Sequence, residues 1–356
     1  MTSPCCVVCI PARNEAASLP GLLSALDRQA WSGGPLRVVL LANNCTDGTA
    51  GLARSLAETR RGLALRVLEA DLPPERATVG VAREMALRAG AAWLREDGVR
   101  SGVLVTTDAD AQPPPCWIAA TLEAMDGVEM VGGEIRLAEA PGSPLPTWLR
   151  DSHARVARYW AAVRALAHRI DPLPHDPPPR HGDHTGASLA VALRAYEAAG
   201  GVPPLATGED NALVAAVERQ GGRLRHPPTV WTAVSVREDG RAPGGMASEL
   251  RRWRGFAEGA APHLLPDATS WLRSLARRRA LRDGFHGGLS AAAAAIGVAS
   301  ARLEAVARES VNDIAFVARA EPLLPPLPCT EQEIAAATAA IEALARRQTV
   351  DEPAAA

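Results

Sequence analysis

Short, unbroken apolar runs alternate with helical patterns through the first half of the chain. Cys5–Ile10 is continuously apolar, the pattern of a strand covered on both faces. Leu19, Leu22, Leu23 and Leu26 then recur at helical spacing. Leu36–Leu41 is a second buried run, followed by a turn at Asn43–Asp47 and a helix through Leu52 and Leu56. Leu63–Leu68 is a third, with a helix from about Pro74 to Leu94, and Val103–Thr107 is a fourth, ending in Asp108-Ala109-Asp110. This rhythm predicts an α/β fold, a mostly parallel twisted sheet flanked by helices and joined by right-handed crossovers. Ligands of such sheets bind beyond the carboxyl ends of the strands. Arg13-Asn14-Glu15, Asn43-Asn44, Asp71 and Asp108/Asp110 each follow a strand, so one sheet edge is expected to gather all four polar clusters.

The second half is less regular. Val128–Leu137 reads as a further strand, Pro141–Pro146 breaks the pattern, and a helix carrying Trp148, Val156, Tyr159 and Val163 follows. Asp171–His184 is too rich in proline for a helix or a central strand and is expected to be a long loop. Gly186–Gly201 reads as a short strand and then a helix; Gly208-Glu209-Asp210 opens another helix, and Val230–Val236 is a last strand. From about Met246 the chain is rich in Ala, Arg and Leu and helical, broken at Pro322–Pro328. The expected division is residues 1–245 as one α/β domain, 246–350 as a C-terminal helical extension, and 351–356 as a frayed tail.

Composition narrows the function. The 356 residues carry 38 basic and 40 acidic side chains, a net charge of −2, so no polybasic surface is available for nucleic acid. Every basic residue other than histidine is arginine, a bias expected of a GC-rich bacterial genome. The lack of lysine excludes Schiff-base chemistry, a Walker A loop and a kinase-type strand lysine. The longest run of small apolar residues, Ala291–Ser300, is far short of the ~20 residues of a membrane helix. No cationic leader pattern precedes the first strand, so a cytoplasmic protein is expected. Cys6-Val7-Val8-Cys9 lies among strand formers and lacks the second Cys pair of a zinc site, so buried reduced thiols are expected.

Asp108-Ala109-Asp110 is the strongest chemical signal. Two carboxylates one residue apart at a strand end can share a hard divalent cation, Mg²⁺ or Mn²⁺, with phosphate oxygens. Such a cation offsets charge developing on a nucleoside-diphosphate leaving group. Pro11-Ala12-Arg13-Asn14-Glu15 follows the first strand; Pro11 is expected to stop that strand, while Asn14 and Glu15 offer hydrogen-bonding groups to a base or ribose.

Ile10–Glu15, Ala42–Thr49, Thr107–Gln112, Thr185–Ser188 and Thr207–Asn211 occur in an order and spacing that resembles family 2 glycosyltransferases of the GT-A fold, over about residues 4–245. The resemblance implies inverting, non-processive transfer of a sugar from a nucleoside-diphosphate sugar to an acceptor hydroxyl, with Mg²⁺ or Mn²⁺. It implies that Pro11, Arg13, Glu15 and Asn43 line the nucleoside pocket and that Asp71 faces the base. Asp108 would contact ribose or sugar and Asp110 would hold the metal and diphosphate, with Asp108 beside it as a metal ligand. Gly186 and Ala187, with Ser188, would form the floor under the donor sugar. Asp210 would act as general base, and Glu209 would position substrate hydroxyls. A base on the face opposite the departing diphosphate is what inversion requires.

Two positions depart from the family pattern. Glu249-Leu-Arg-Arg-Trp253 stands where processive relatives carry Gln-x-x-Arg-Trp, which favours single addition; Arg252 and Trp253 read as acceptor-site residues or as a surface arginine and a core tryptophan. Arg83 is followed by Glu84 where asparagine is expected. His175, His181 and His184 with Asp176 and Asp183 match no closed zinc site, so an active-site lid is the preferred reading of that loop, and His226 is a candidate third metal ligand. Val236–Arg241 offers arginines to a diphosphate or is a solvated turn. The C-terminal helices are expected on the acceptor side or at a homo-oligomer interface. The rival readings are a sugar-phosphate nucleotidyltransferase, which the Pro-Ala-Arg-Asn-Glu segment disfavours, and a nucleotide-binding protein without turnover. A dinucleotide-dependent dehydrogenase would need a Gly-x-Gly-x-x-Gly after the first strand, which is absent.

Overall fold

A computed structural model describes residues 5–139, 144–237 and 245–347. The chain separates into two units, Met1–Ala138 with Pro179–Ser248, and Glu139–Pro178 with Glu249–Ala356. The segment 139–178, which lies inside the range expected for the α/β domain, thus groups with the C-terminal residues.

The first unit begins β1 (Cys5–Ala12), α1 (Leu19–Asp27), β2 (Leu36–Asn43), α2 (Thr49–Thr59), β3 (Leu63–Ala70), α3 (Val79–Glu96), β4 (Gly102–Thr106) and α4 (Trp117–Ala124). It continues with β5 (Met130–Gly132) and β6 (Glu134–Leu137). After α5 (Thr147–Ile170), which belongs to the second unit, come β7 (Leu189–Ala192), α6 (Leu193–Ala198), α7 (Glu209–Arg219), β8 (Leu224–Arg225) and β9 (Trp231–Val234). Seven strands form one sheet in the order β3-β2-β1-β4-β7-β5-β8, and β6 pairs with β9 in a second. The first four are parallel neighbours and β7 runs antiparallel, giving the mixed but mostly parallel sheet expected.

Side-chain alternation builds the core. Cys6, Val8 and Ile10 of β1 enter one apolar layer with Leu19, Leu22, Leu23 and Leu26 of α1 and Trp117 of α4. Val7 and Cys9 enter the opposite layer with Ala82, Ala86, Leu87, Ala91 and Leu94 of α3. Both faces are covered, which is why the strand reads as unbroken apolar sequence. All six cysteines are free, and burial pushes the Cys6 thiol up to about 12, so the CxxC pair is packing.

Pro11 does not stop β1. Pairing continues through Pro11 opposite Leu41 and Ala12 opposite Ala42. A proline lacks only its own N–H, which is tolerable at a strand end. Helix α3 begins at Val79, later than Pro74, with Thr78 capping it: the Val81 N–H donates to Thr78 Oγ1 at 3.3 Å. The predicted strand 128–137 is two strands in two sheets. They separate at Gly133, where a Cβ would stand 2.0 Å from Ser188 Oγ, so only glycine lets the backbone pass there.

The second unit holds α5 and α8 (Met246–Ala257, from Glu249 onward), then β10 (Leu264–Pro266), α9 (Ala268–Gly287), α10 (Leu289–Ile296), α11 (Ser300–Arg308), α12 (Asp313–Ala320), β11 (Glu331–Glu333) and α13 (Ile334–Arg347). Tyr159, Val163 and Leu166 of α5 pack with Leu275 of α9 and Ala337 and Ile341 of α13. The Tyr159 hydroxyl accepts from Trp271 Nε1 and donates to the Pro266 carbonyl, both at 2.7 Å, so this polar tip is satisfied inside the cluster. Leu281, Phe316 and Val317 make a separate cluster. Among the described residues no helix is long and apolar enough to cross a membrane.

Candidate active site

The parallel register brings the ends of β1 to β4 to one edge of the sheet. After β1 the chain turns at Asn14, whose φ of +54° is left-handed and suits asparagine. Asn14 Oδ1 accepts from the Thr46 N–H at 2.7 Å, and the Glu15 N–H donates to Thr49 Oγ1 at 2.9 Å, tying the β1 loop to the β2 loop. Asn44, also left-handed, brackets the β3 loop: its Nδ2 donates to the Leu72 carbonyl at 2.8 Å and its Oδ1 accepts from the Leu72 N–H at 3.1 Å. Asp71 stands exposed on that bracketed loop, and Arg13 is exposed with Nη1 on the Ala77 carbonyl at 3.1 Å. Asn43 is buried, and its side-chain oxygen has no hydrogen-bond partner among the described residues.

Arg83 is the centre of the site, and the spacing along α3 explains its position. It lies in step with Leu87, Gly90 and Leu94 on the face turned to the sheet, so the residue is only 3% exposed. A buried cation must be paired and hydrogen-bonded. Its Nη2 donates to Asp108 Oδ1 at 2.9 Å and its Nε to Glu209 Oε1 at 2.9 Å. Its Nη1 donates to Thr106 Oγ1 at 2.7 Å and to the Gly186 carbonyl at 2.9 Å. Burial works against the charge, but Asp108 and Glu209 outweigh it and raise the guanidinium's pKa further.

The Gly186 peptide carries this network onward. Its N–H donates to Asp210 Oδ2 at 2.9 Å, while its carbonyl is held by Arg83. A Cβ on Gly186 would lie 2.2 Å from Arg83 Cζ, so the arginine lies directly against the glycine. The next carbonyl, of Ala187, accepts from Thr107 Oγ1 at 2.8 Å, and Ser188 Oγ accepts from Trp117 Nε1 at 2.9 Å. Segments around residues 83, 106–108, 186–188 and 209–210 are thereby fixed in one connected structure.

Glu209 and Asp210 open α7 after Gly208, which adopts a left-handed φ of +73°. Glu209 is 4% exposed and turned inward to Arg83. Asp210 is partly exposed at the positive end of the helix.

A second carboxylate group surrounds Asp110. Arg237 reaches Glu15 with both terminal nitrogens, at 2.6 and 3.2 Å, and Asp110 Oδ2 at 3.0 Å. Burial first, then the charge of Asp108, pushes the Asp110 carboxyl up to about 6, with Arg237 opposing and Glu15 reinforcing the rise. Glu15, Asp108, Asp110 and Glu209 are thus four carboxylates facing the two guanidiniums of Arg83 and Arg237. The resulting negative excess and the oxygen-only donors of Asp108 and Asp110 fit a hard divalent cation. Among the described residues no three His, Cys, Asp or Glu side chains gather as a metal cage.

His181, His184 and His226 cluster beside α7. His184 Nδ1 is 3.2 Å from His226 Nε2, and its Nε2 is 3.0 Å from Asn211 Oδ1. Burial, then His226, lowers His181 to about 4 and lowers His184 as well, so both rings are neutral at neutral pH. Asp183 Oδ2 accepts from the Ile135 N–H at 2.9 Å, anchoring the loop to β6. In the second unit Trp253 is a core residue, its Nε1 on Glu249 Oε1 at 2.6 Å, while Arg252 pairs with Glu249 on the surface. Glu238–Arg241, part of the expected Pro141–Pro146 break, and the tail 351–356 lie outside the described residues.

Residues 7–143 match the family model described as Glycosyl transferase family 2, a stretch that holds β1 to β6 of the mixed α/β sheet. No curated protein matches the chain in sequence. Among solved structures, the mannosyltransferase PcManGT from Pyrobaculum calidifontis in complex with GDP-Man and Mn²⁺ is similar at 21% identity and a TM-score of 0.47, over 89% of this chain and 86% of that one. Staphylococcus aureus TarS 1–349 in complex with UDP is similar at 13% identity and a TM-score of 0.43, over 71% of this chain and 65% of that one. A second TarS structure is similar at 12% identity and a TM-score of 0.44, over 78% of this chain and 39% of that one. The chain thus spans less than two thirds of the TarS chains in these two structures.

Proposed function

We propose that this protein is a metal-dependent, inverting glycosyltransferase that moves one sugar from a nucleoside-diphosphate sugar to an acceptor hydroxyl. The observation that carries the reading is the Arg83 network. One buried guanidinium binds Asp108 and Glu209 and, through the Gly186 peptide, reaches Asp210, so carboxylates far apart in sequence serve a single site.

In this reading Arg13, Glu15 and Asn43 line the nucleoside pocket behind Pro11, and Asp71, exposed on its bracketed loop, reads the base. Asp108 contacts ribose or sugar and stands beside Asp110, and these two carboxylates would hold Mg²⁺ or Mn²⁺. That cation, when bound, supplies Lewis-acid neutralisation of the diphosphate leaving group. Gly186 and Ala187 floor the donor sugar, where the missing side chain of Gly186 leaves the peptide free to approach it.

Asp210 takes the proton of the acceptor hydroxyl as that oxygen bonds to the anomeric carbon and the carbon–oxygen bond to the diphosphate breaks. The carboxylate is oriented by the Gly186 N–H, which donates to Oδ2 at 2.9 Å, and by the Asn211 N–H, which donates to Oδ1 at 2.8 Å. Glu209 acts through Arg83, holding it against Asp108, which replaces a direct hold on substrate hydroxyls.

The test is release of nucleoside diphosphate from a panel of uridine- and guanosine-linked sugars, with Mn²⁺ present and candidate acceptors supplied. For the donor that turns over, Asp210→Asn is expected to retain binding and to lose turnover by about 10²-fold or more, within the range of a general base. Unchanged turnover in that variant removes Asp210 from the chemistry.

A further inference from the structure

Arg237 occupies a position that the proposed function leaves unexplained. It belongs to the segment after β9, yet its guanidinium lies between Glu15, after β1, and Asp110, after β4. The fork on Glu15 is bidentate, the geometry in which a guanidinium matches a carboxylate best. Nη1 also reaches Ser18 Oγ at 3.4 Å, and the Arg237 N–H donates to Ser235 Oγ at 3.3 Å.

Arg83 and Arg237 differ in how firmly they are committed. Arg83 is enclosed and bound to four groups that hold the scaffold together, so it cannot leave Asp108 without exposing buried charge. The Arg237 side chain is 29% exposed and that of Asp110 is 22% exposed, against 4% for Arg83, so their contact is part-buried rather than enclosed. A part-buried ion pair exchanges more readily than one enclosed on every side.

We propose that Arg237 is a built-in stand-in for the divalent cation. It neutralises Asp110 and Glu15 while the site is empty, and it must release Asp110 before that carboxylate can coordinate. The inference rests on the reading of Asp110 as a cation ligand. Its consequence is that the protein binds the cation alone more weakly than its own carboxylates permit. A diphosphate, a better partner for the released guanidinium, lessens that penalty when the donor arrives.

Mn²⁺ titrations of the full chain without nucleotide, followed by electron paramagnetic resonance of the free ion, test this. Arg237→Met is expected to tighten Mn²⁺ binding by roughly three- to tenfold, the scale of an ion pair of this exposure. Arg237→Lys, which keeps the charge, is expected to stay near wild type and controls for disturbance of the fold. Asp110→Asn is expected to abolish the site that Arg237→Met strengthens. Unchanged or weaker binding in Arg237→Met, with Asp110→Asn still abolishing the site, overturns the stand-in and leaves the cation reading intact. Mn²⁺ binding indifferent to Asp110→Asn overturns both.

Discussion

Asp110 is the residue at which stability and chemistry oppose each other. Its carboxyl is raised from 3.8 to about 6 by burial and by Asp108, so the ligand-free fold favours the protonated form. A raised carboxyl contributes most below pH 3.8, and that contribution is lost as pH rises through 6. Asp110→Asn should therefore match wild type in stability near pH 4 and exceed it above pH 7, by on the order of 1–3 kcal/mol after allowing for solvent screening. Urea denaturation of both proteins at the two pH values measures the difference. Arg83 has the opposite character. Arg83→Met would strand Asp108 and Glu209 without their partner, and a loss of roughly 3–5 kcal/mol is expected from breaking a buried ion pair on one side. Denaturation midpoints of Arg83→Met and of the double variant with Glu209→Gln check this, the double variant recovering part of the loss.

At the scale of elements, close approach decides what the loops can do. Helix α3 lies so near β1 that a Cβ on Gly90 would stand 2.6 Å from Cys9 Sγ, and this closeness carries Arg83 into the sheet edge. The Gly186 turn is equally tight. Gly186→Ala is expected to push Arg83 off Asp108 and Asp210 off its N–H donor, lowering the melting temperature as Arg83→Met does and reducing donor turnover even where the fold persists. Measured turnover against melting temperature separates that outcome from simple unfolding. The helix-spaced leucines and unbroken strands were legible because each pattern has its own period. The division of 128–137 into two strands was not, since the glycine that separates them is explained only by Ser188, remote in sequence.

For the molecule as a whole, motif order in the sequence anticipated the family model that matches residues 7–143, and the loops after β1, β2, β3 and β4 fall on the sheet edge that crossover topology requires. What escaped the sequence was pairing at long range. Arg83 was visible only as a departure from a pattern, although its step with Leu87, Gly90 and Leu94 marks an inward face and so demands buried partners. Arg237 meets Glu15 across 222 residues, a contact no local spacing encodes. The grouping of 139–178 with the C-terminal residues was likewise hidden, because an amphipathic helix does not state which partner covers it. The histidine cluster adds a pH response of the first unit. His181 is lowered from 6.5 to about 4, so the stability tied to its neutral ring is full above 6.5 and fades as pH falls toward 4, and burial lowers His184 in the same direction. His184→Gln should flatten the acid limb of a melting curve recorded from pH 7 to pH 4.

The most direct measurement of the central claim is a thermal-shift panel of nucleoside-diphosphate sugars with and without Mn²⁺, run on wild type and Asp110→Asn. The account predicts that one donor raises the melting temperature only when Mn²⁺ is present, and that Asp110→Asn loses this increment. Stabilisation by no donor, or by a donor with no need of Mn²⁺ and Asp110, would contradict it.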